Sequence, residues 1–263
     1  MDGFAKINLP DSGLLPGTGQ VGKVNGTSGL VPPNKDGNPG WQYSILAGVV
    51  GNIASFFNCQ ATLIDATDGV CRAATAAHCL VDAKLPKLAK TVLGGMATYV
   101  GTAVMRTTEG EVNVTRYVNP EYIENKRLDS AVMAWRCPNG PGSMKVVPIS
   151  KTPLVEKETV YYGKVMGMAG AFLANIFREP GVTSVDYLRI GEGSEHARMD
   201  PNHVITQGDS GGPLFKIING VKYLVGVLAT SDDLTKRRPL GTYSTNLAMD
   251  YIAHISRSLG SDK

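Results

Sequence analysis

From Trp41 onward the chain alternates short apolar runs with turn residues. FFNCQATLI, VCRAATAA, ATYVGTAVM, EVNVTRYV and SAVMAW form a first series. A joint rich in Pro and Gly, CPNGPGSMK at 137–145, leads to a second: VVPIS, TVYYGKVMG, SVDYLRIG, GPLFKII, KYLVGVLAT and GTYSTNL. Runs this short, closely spaced and often β-branched predict an all-β sandwich or barrel rather than βαβ units. The most apolar stretch, YSILAGVVGNIASFF at 43–57, is interrupted by Gly51-Asn52. It is shorter than the roughly 18 residues a membrane-spanning helix needs, so two strands around a turn are expected.

Two pieces carry a helical signal. TAAHCLVD at 75–82 predicts a single turn. In MDYIAHISRSLG, Ile252, Ile255 and Leu259 recur at helical spacing, with Asn246 or Asp250 as the cap and Gly260 as the stop. Residues 1–40 differ from the rest, being rich in Gly, Pro, Asn and Ser without periodicity, and read as an extended arm or propeptide-like segment. The expected organisation is this arm, a β half over 41–140, and a β half with a terminal helix over 141–263.

Composition narrows the classes. The 263 residues are 43% hydrophobic and 19% charged, ample for a buried core. A net charge of +3 and mixed signs give no nucleic-acid footprint, and Lys236-Arg237-Arg238 reads as a solvated loop. The opening MDGFAKINLPD lacks the basic start and apolar run of a signal peptide. Either export takes another route, or the chain is a trimmed mature or proenzyme form with an added Met. The four cysteines, Cys59, Cys71, Cys79 and Cys137, allow three pairings. None lies in a C-x-x-C and no His sits at zinc-ligand spacing, so neither metal nor cofactor is expected. Two disulfides are favoured, which places the chain in an oxidising compartment, secreted or periplasmic.

The chemistry centres on GDSGGP at 208–213. Glycines around Ser210 permit a sharply bent backbone and leave room for a substrate carbonyl. The N–H groups of Gly208 and Ser210 then converge on a developing oxyanion. A Ser hydroxyl needs a base within hydrogen-bond reach. Of His78, His196, His203 and His254, only His78 sits among small residues beside a cysteine, in TAAHC. The imidazole in turn needs a carboxylate, and Asp129 opens the apolar strand DSAVMAW.

TAAHC, D-x-A-x-x-x-W and GDSGGP, in this order, resemble the trypsin/chymotrypsin family of serine endopeptidases, over about residues 41–259. The resemblance implies two antiparallel six-stranded β-barrels with a C-terminal α-helix and a cleft between the barrels. It implies that His78, Asp129 and Ser210 form the catalytic triad and that Gly208 and Ser210 form the oxyanion hole. FFNCQATLI resembles the family's first cysteine-bearing strand. That implies a Cys59–Cys79 disulfide beside the histidine and leaves Cys71 with Cys137, on strands that are antiparallel neighbours in that fold. The substrate is then a polypeptide, and a monomer without nucleic-acid or membrane partners is expected.

By the same resemblance Val204 forms the floor of the specificity pocket, with Gln207 on the same stretch, Thr230 and Ser231 on one wall and Gly241 on the far side. No acid stands at Val204, so a small or medium apolar residue is expected on the acyl side of the cut bond. Three features depart from the family. Thr206 stands where a bracing cysteine is usual. Ala229 stands where many relatives place a Ser against the catalytic Asp. Asp209, the family's partner for a newly freed amine, is present, but no Ile-Val-Gly-Gly run precedes the domain. The candidate stretch is Gly29-Leu30-Val31-Pro32-Pro33. Cleavage near Leu30 or Val31, or another way of ordering the oxyanion loop, are the alternatives. The rival to an active endopeptidase is a protease-like binding protein or an inactive proenzyme.

Overall fold

The computed structural model describes residues 44–46, 49–50, 53–54, 59–81, 86–107, 110–141, 146–164, 170–178, 183–190, 205, 209–231 and 241–260. The arm over 1–40, its candidate cleavage stretch and the Lys236–Arg238 patch lie outside them. The first half contains β1 (Ser44–Leu46), β2 (Val49–Val50), β3 (Ile53–Ala54), β4 (Cys59–Thr67), β5 (Val70–Thr75), β6 (Ala89–Leu93), β7 (Met96–Thr107), β8 (Gly110–Val118) and β9 (Ala131–Arg136). The second contains β10 (Thr159–Lys164), β11 (Gly170–Arg178), β12 (Tyr187–Ile190), β13 (Pro213–Ile218), β14 (Val221–Ser231) and β15 (Gly241–Thr245). Two helices, α1 (Pro120–Asn125) and α2 (Leu247–Ser258), and a 3₁₀ turn at Ala77–Leu80 complete the described elements.

The fold is mostly β, as the alternation of apolar runs predicts. The second half closes into a six-stranded barrel in the order β10-β11-β12-β15-β14-β13. The first is a nine-stranded sheet following β1-β4-β5-β9-β8-β7-β2-β3, with β6 also paired to β7. The extra strands arise because the 12-residue β7 is long enough to serve β6, β8 and β2 in turn. The apolar stretch over 43–57 supplies β1 and the antiparallel pair β2–β3, with Val49 opposite Ala54 and Val50 opposite Ile53.

β12 alternates buried and half-buried positions, whereas β4, β5, β9 and β15 are buried on both faces over most of their length. One core fills the first sheet, with Leu63, Val114, Met133 and Trp135 among its members. A second fills the barrel around Tyr162, Ile176, Leu188 and Tyr243. A third lies where the halves meet: Ile64 and Val132 pack with Phe215, Leu224 and Val227, under Ile252 and Ile255 of α2. Each such side chain contributes roughly 2 kcal/mol on burial. Helix α2 therefore belongs to the seam and holds the halves in register.

Asn246 and Gly260 flank α2 as expected, but the bonds that satisfy its N-terminal end differ. Asn246 stands at the N-cap position, but its side chain accepts from Leu154 N–H at 2.8 Å and donates to the Leu154 and Val185 carbonyls. The orphan N–H of Leu247 is taken by Asp186 Oδ1 at 3.0 Å, from a distant segment. At the other end Gly260 N–H reaches Arg257 O at 3.0 Å, and Arg72 donates to Leu259 O at 2.9 Å. Arg72 also pairs with Asp65, so a guanidinium of the first sheet ties down the end of the chain's last helix.

Candidate active site

His78 lies in the 3₁₀ turn at Ala77–Leu80, immediately after β5. The small side chains of Ala76 and Ala77 are fully buried, which lets the turn pack against the sheet. The turn is held at its end by Arg116 of β8, which donates to Leu80 O at 2.7 Å, Pro86 O at 2.7 Å and Thr102 O at 3.1 Å. Its guanidinium is almost wholly buried, so these carbonyls replace water around the cation.

Asp129 lies just before β9. Its Oδ2 is 2.6 Å from His78 Nδ1, and its Oδ1 accepts the His78 backbone N–H at 2.9 Å. Both carboxylate oxygens thus act on one residue, fixing the imidazole's position and placing a proton on Nδ1. Nε2, 3.7 Å from Cys79 Sγ, is the nitrogen able to take a proton. The aspartate side chain is 8% exposed and the histidine 21%, a carboxylate kept dry beside a ring open to solvent.

A polar frame carries Asp129. The preceding Leu128 has φ +50°, and its N–H donates to the Tyr187 hydroxyl oxygen, which comes from β12 of the barrel. Ser130 Oγ donates to Leu128 O at 3.1 Å and accepts from Asn119 Nδ2 at 3.1 Å. Asn119 is also the N-cap of α1, accepting from Glu121 N–H at 3.1 Å. Burial pushes the Tyr122 phenol up to about 12 and raises that of Tyr187, the nearby Asp129 charge adding to both. Both phenols keep their protons at neutral pH. Ala229, where the resemblance leads one to miss a serine, is buried, and the aspartate relies on the His78 backbone.

Ser210 follows the fully buried Asp209 at the entrance to β13. Its carbonyl accepts Gln60 N–H at 2.7 Å, across the two halves. Gly211 N–H reaches Leu228 O at 2.9 Å, and Gly212 N–H reaches Asp209 O at 2.9 Å. Gly211 has φ +75°, and a Cβ there would lie 2.3 Å from Gln60 O and 2.4 Å from Thr75 Oγ1. A Cβ on Gly212 would lie 2.7 Å from Asp209 O. Both glycines are required by close backbone approach, one by conformation as well.

The structure joins Cys59 to Cys79 and Cys71 to Cys137. The first bridge anchors the His78 turn to β4, and the second ties β5 to the end of β9, its paired neighbour. Cys59, His78 and Cys79 cluster, but both sulfurs are spent in the disulfide and cannot act as thiolate ligands. Of the expected pocket residues, Val204 and Gln207 lie outside the described residues, as does Gly208 of the expected oxyanion pair. Thr230 is exposed and pairs with Thr242, and Ser231 pairs with Gly241 at the ends of β14 and β15. A Cβ on Gly241 would meet Leu228 at 2.6 Å and Ile205 at 3.3 Å, so this wall is apolar and tight. His254 sits on α2 with its Nε2 3.3 Å from Leu93 O, and His196 and His203 lie outside the described residues.

A six-stranded barrel beside a second β-sheet, with a carboxylate–imidazole pair and a glycine-flanked serine at the seam, defines a class of two-part β hydrolases. The family model described as Trypsin matches residues 35–249, so the chain belongs to the trypsin family and is a serine endopeptidase. No curated protein matches the chain. Solved structures agree on the fold. A thermostable serine protease, AL20, from an extremophilic microorganism is 14% identical, with 82% of this chain and 96% of that chain covered and a TM-score of 0.54. The protease Anisep from Arthrobacter nicotinovorans is 15% identical, with 81% and 94% covered and a TM-score of 0.53. Kallikrein-related peptidase 10 in complex with Zn2+ is 20% identical, with 84% and 96% covered and a TM-score of 0.50.

Proposed function

We propose that the chain hydrolyses peptide bonds with Ser210 as nucleophile, His78 as general base and acid, and Asp129 as its orienting carboxylate. The observation that carries this reading is the double grip of Asp129 on His78, Oδ2 on Nδ1 at 2.6 Å and Oδ1 on the backbone N–H at 2.9 Å. His78 Nε2 takes the Ser210 proton as Oγ attacks the carbonyl carbon. The tetrahedral oxyanion is met by the N–H groups of Gly208 and Ser210. It collapses as Nε2–H protonates the leaving amine, and water repeats the sequence on the acyl-enzyme. Residues 41–140 carry the histidine and aspartate, and 141–263 the serine.

Ile205, Leu228 and Gly241 are apolar and buried beside the expected pocket, which supports a small or medium apolar residue on the acyl side. Two disulfides support an oxidising, secreted or periplasmic setting. Among the described residues no helix is long and apolar enough to cross a membrane. We expect a monomer.

Fluorophosphonate labelling, read by intact mass, tests the nucleophile. One adduct per chain, absent in Ser210→Ala, is the expected result. No adduct on the wild-type chain, with or without limited digestion near residue 30, moves the reading to a binding protein. A peptide library cut after Lys or Arg rather than Ala, Val or Leu would overturn the pocket assignment alone.

A further inference from the structure

Gln60 stands at the point where the two halves meet at the serine. It is the second residue of β4 and is wholly buried. Its backbone N–H donates to Ser210 O at 2.7 Å, and its side-chain Nε2 donates to Asp209 Oδ1 at 2.9 Å. Its carbonyl accepts from Thr75 Oγ1 at 2.7 Å, three residues before His78. Cβ atoms built on the next two residues would also meet it: Gly211 at its carbonyl, 2.3 Å, and Gly212 at its Oε1, 3.1 Å. One side chain and its peptide thus face four consecutive residues of the nucleophile segment and bond to the strand that leads into His78.

We infer that Gln60 is a positioning residue for catalysis: it orients Ser210 by holding the Asp209 carboxylate and the Ser210 carbonyl together. The inference rests on the reading of Ser210 as nucleophile. Asp209 is fully buried, and a carboxylate without water needs donors placed for it. An amide N–H at 2.9 Å supplies one, and as a neutral group it adds no second buried charge. The two bonds from Gln60 act on either side of the Asp209–Ser210 peptide, one at the preceding side chain and one at the following carbonyl. The Ser210 side chain between them is therefore set relative to β4. Because Thr75 bonds the same Gln60 carbonyl, Ser210 and His78 take their spacing from one residue. Gln60 touches no substrate in this account; it acts through Asp209 and Ser210.

The test is a cycle of Gln60→Ala, Asp209→Asn and the double variant in the full chain. Each is read by the rate of fluorophosphonate acylation, by kcat and KM on a peptide ester, and by its thermal melt. Gln60→Met, of similar length but without the donor, is carried alongside in case the alanine variant does not fold. Wild-type labelling at Ser210 is established first; its absence removes the nucleophile reading and this inference with it. With wild-type labelling in hand, Gln60→Ala or Gln60→Met lowers acylation and kcat by about tenfold or more, the factor expected for losing a hydrogen bond to a charged group, while KM moves less than about threefold. In the Asp209→Asn background the same Gln60 substitution costs less than about twofold, because the two act as a unit. Equal losses in both backgrounds, unchanged acylation, or a loss that falls on KM alone would each overturn the inference and leave Ser210 as nucleophile untouched.

Discussion

The two halves of the molecule hold their proposed catalytic groups by different means. In the first sheet the holders are polar side chains. Arg116 binds the carbonyls around the His78 turn, and Asn119 and Ser130 bind one another and the chain beside Asp129. In the barrel, beside the Gln60 amide on Asp209, the holders are main-chain bonds and missing side chains: Gly211 and Gly212 bond to Leu228 and Asp209 where no Cβ fits. The difference follows from the task. An imidazole and a carboxylate are carried on loops after or before strands, and loops need side chains to satisfy and fix them. A nucleophile at a sharp bend needs the backbone itself to come close to its neighbours. Damage in the first half should therefore be graded, and damage in the second abrupt.

Substitution at the glycine should have the largest effect. Gly211→Ala meets both a left-handed φ and overlaps of 2.3 and 2.4 Å with backbone and Thr75. A loss of about 4 kcal/mol or failure to fold is expected from combined strain and overpacking, read by denaturant melts. A folded Gly211→Ala variant of normal stability would contradict the abrupt side of the comparison. Next comes Arg116→Met, which keeps most of the apolar stem and leaves three carbonyls, that of Leu80 buried, without their cation. About 3 kcal/mol of stability should go, along with a fall in the acylation rate as the His78 turn loosens. Loss of stability alone would show that Arg116 supports the sheet but not the turn.

The smallest expected effect concerns alkaline pH. Burial raises the phenols of Tyr122, Tyr187, Tyr243 and Tyr251 in the folded chain, that of Tyr122 to about 12. An unfolded phenol titrates near 10. Between those values the unfolded chain binds fewer protons than the folded one, so stability falls as pH rises. The contribution is complete below pH about 10 and is lost as pH climbs through the folded values. The melting temperature should drop above pH 10, and Tyr122→Phe, beside Asp129, should make that drop shallower. An identical slope in Tyr122→Phe would remove this tyrosine from the effect.

Much of this arrangement was legible in the residues because it depends on local chemistry. The glycines of GDSGGP announce a backbone with no room for side chains, and Gly211 and Gly212 are where contacts forbid one. TAAHC announces a tight buried turn beside a cysteine, and a 3₁₀ turn closed by Cys59–Cys79 is found there. Helix α1 was missed although Asn119-Pro120-Glu121 is a cap, a Pro at the first turn and an acid in sequence. β6, AKTVL, is an exposed edge strand with almost no buried face, so it has no pattern to read. β11 hides its alternation, since Ala174 and Ile176 are buried while the apolar Leu173 is exposed and Phe177 only half-buried. The capping of α2 by Asp186, the tie from Tyr187 to Leu128 and the grip of Gln60 on Asp209 join residues far apart in sequence. No local pattern encodes such partners; they exist only once distant segments of the chain are packed.

The most direct test of the account is rapid-mixing kinetics on an activated peptide ester, comparing the wild-type chain with Ser210→Ala, His78→Ala and Asp129→Asn. The account predicts a burst of leaving group near one per active site for the wild type. It predicts no burst for Ser210→Ala, and acylation slowed by about 10⁴-fold in His78→Ala and in Asp129→Asn. A burst that survives Ser210→Ala, or acylation indifferent to both His78 and Asp129, would contradict the assignment of these three residues as one catalytic unit.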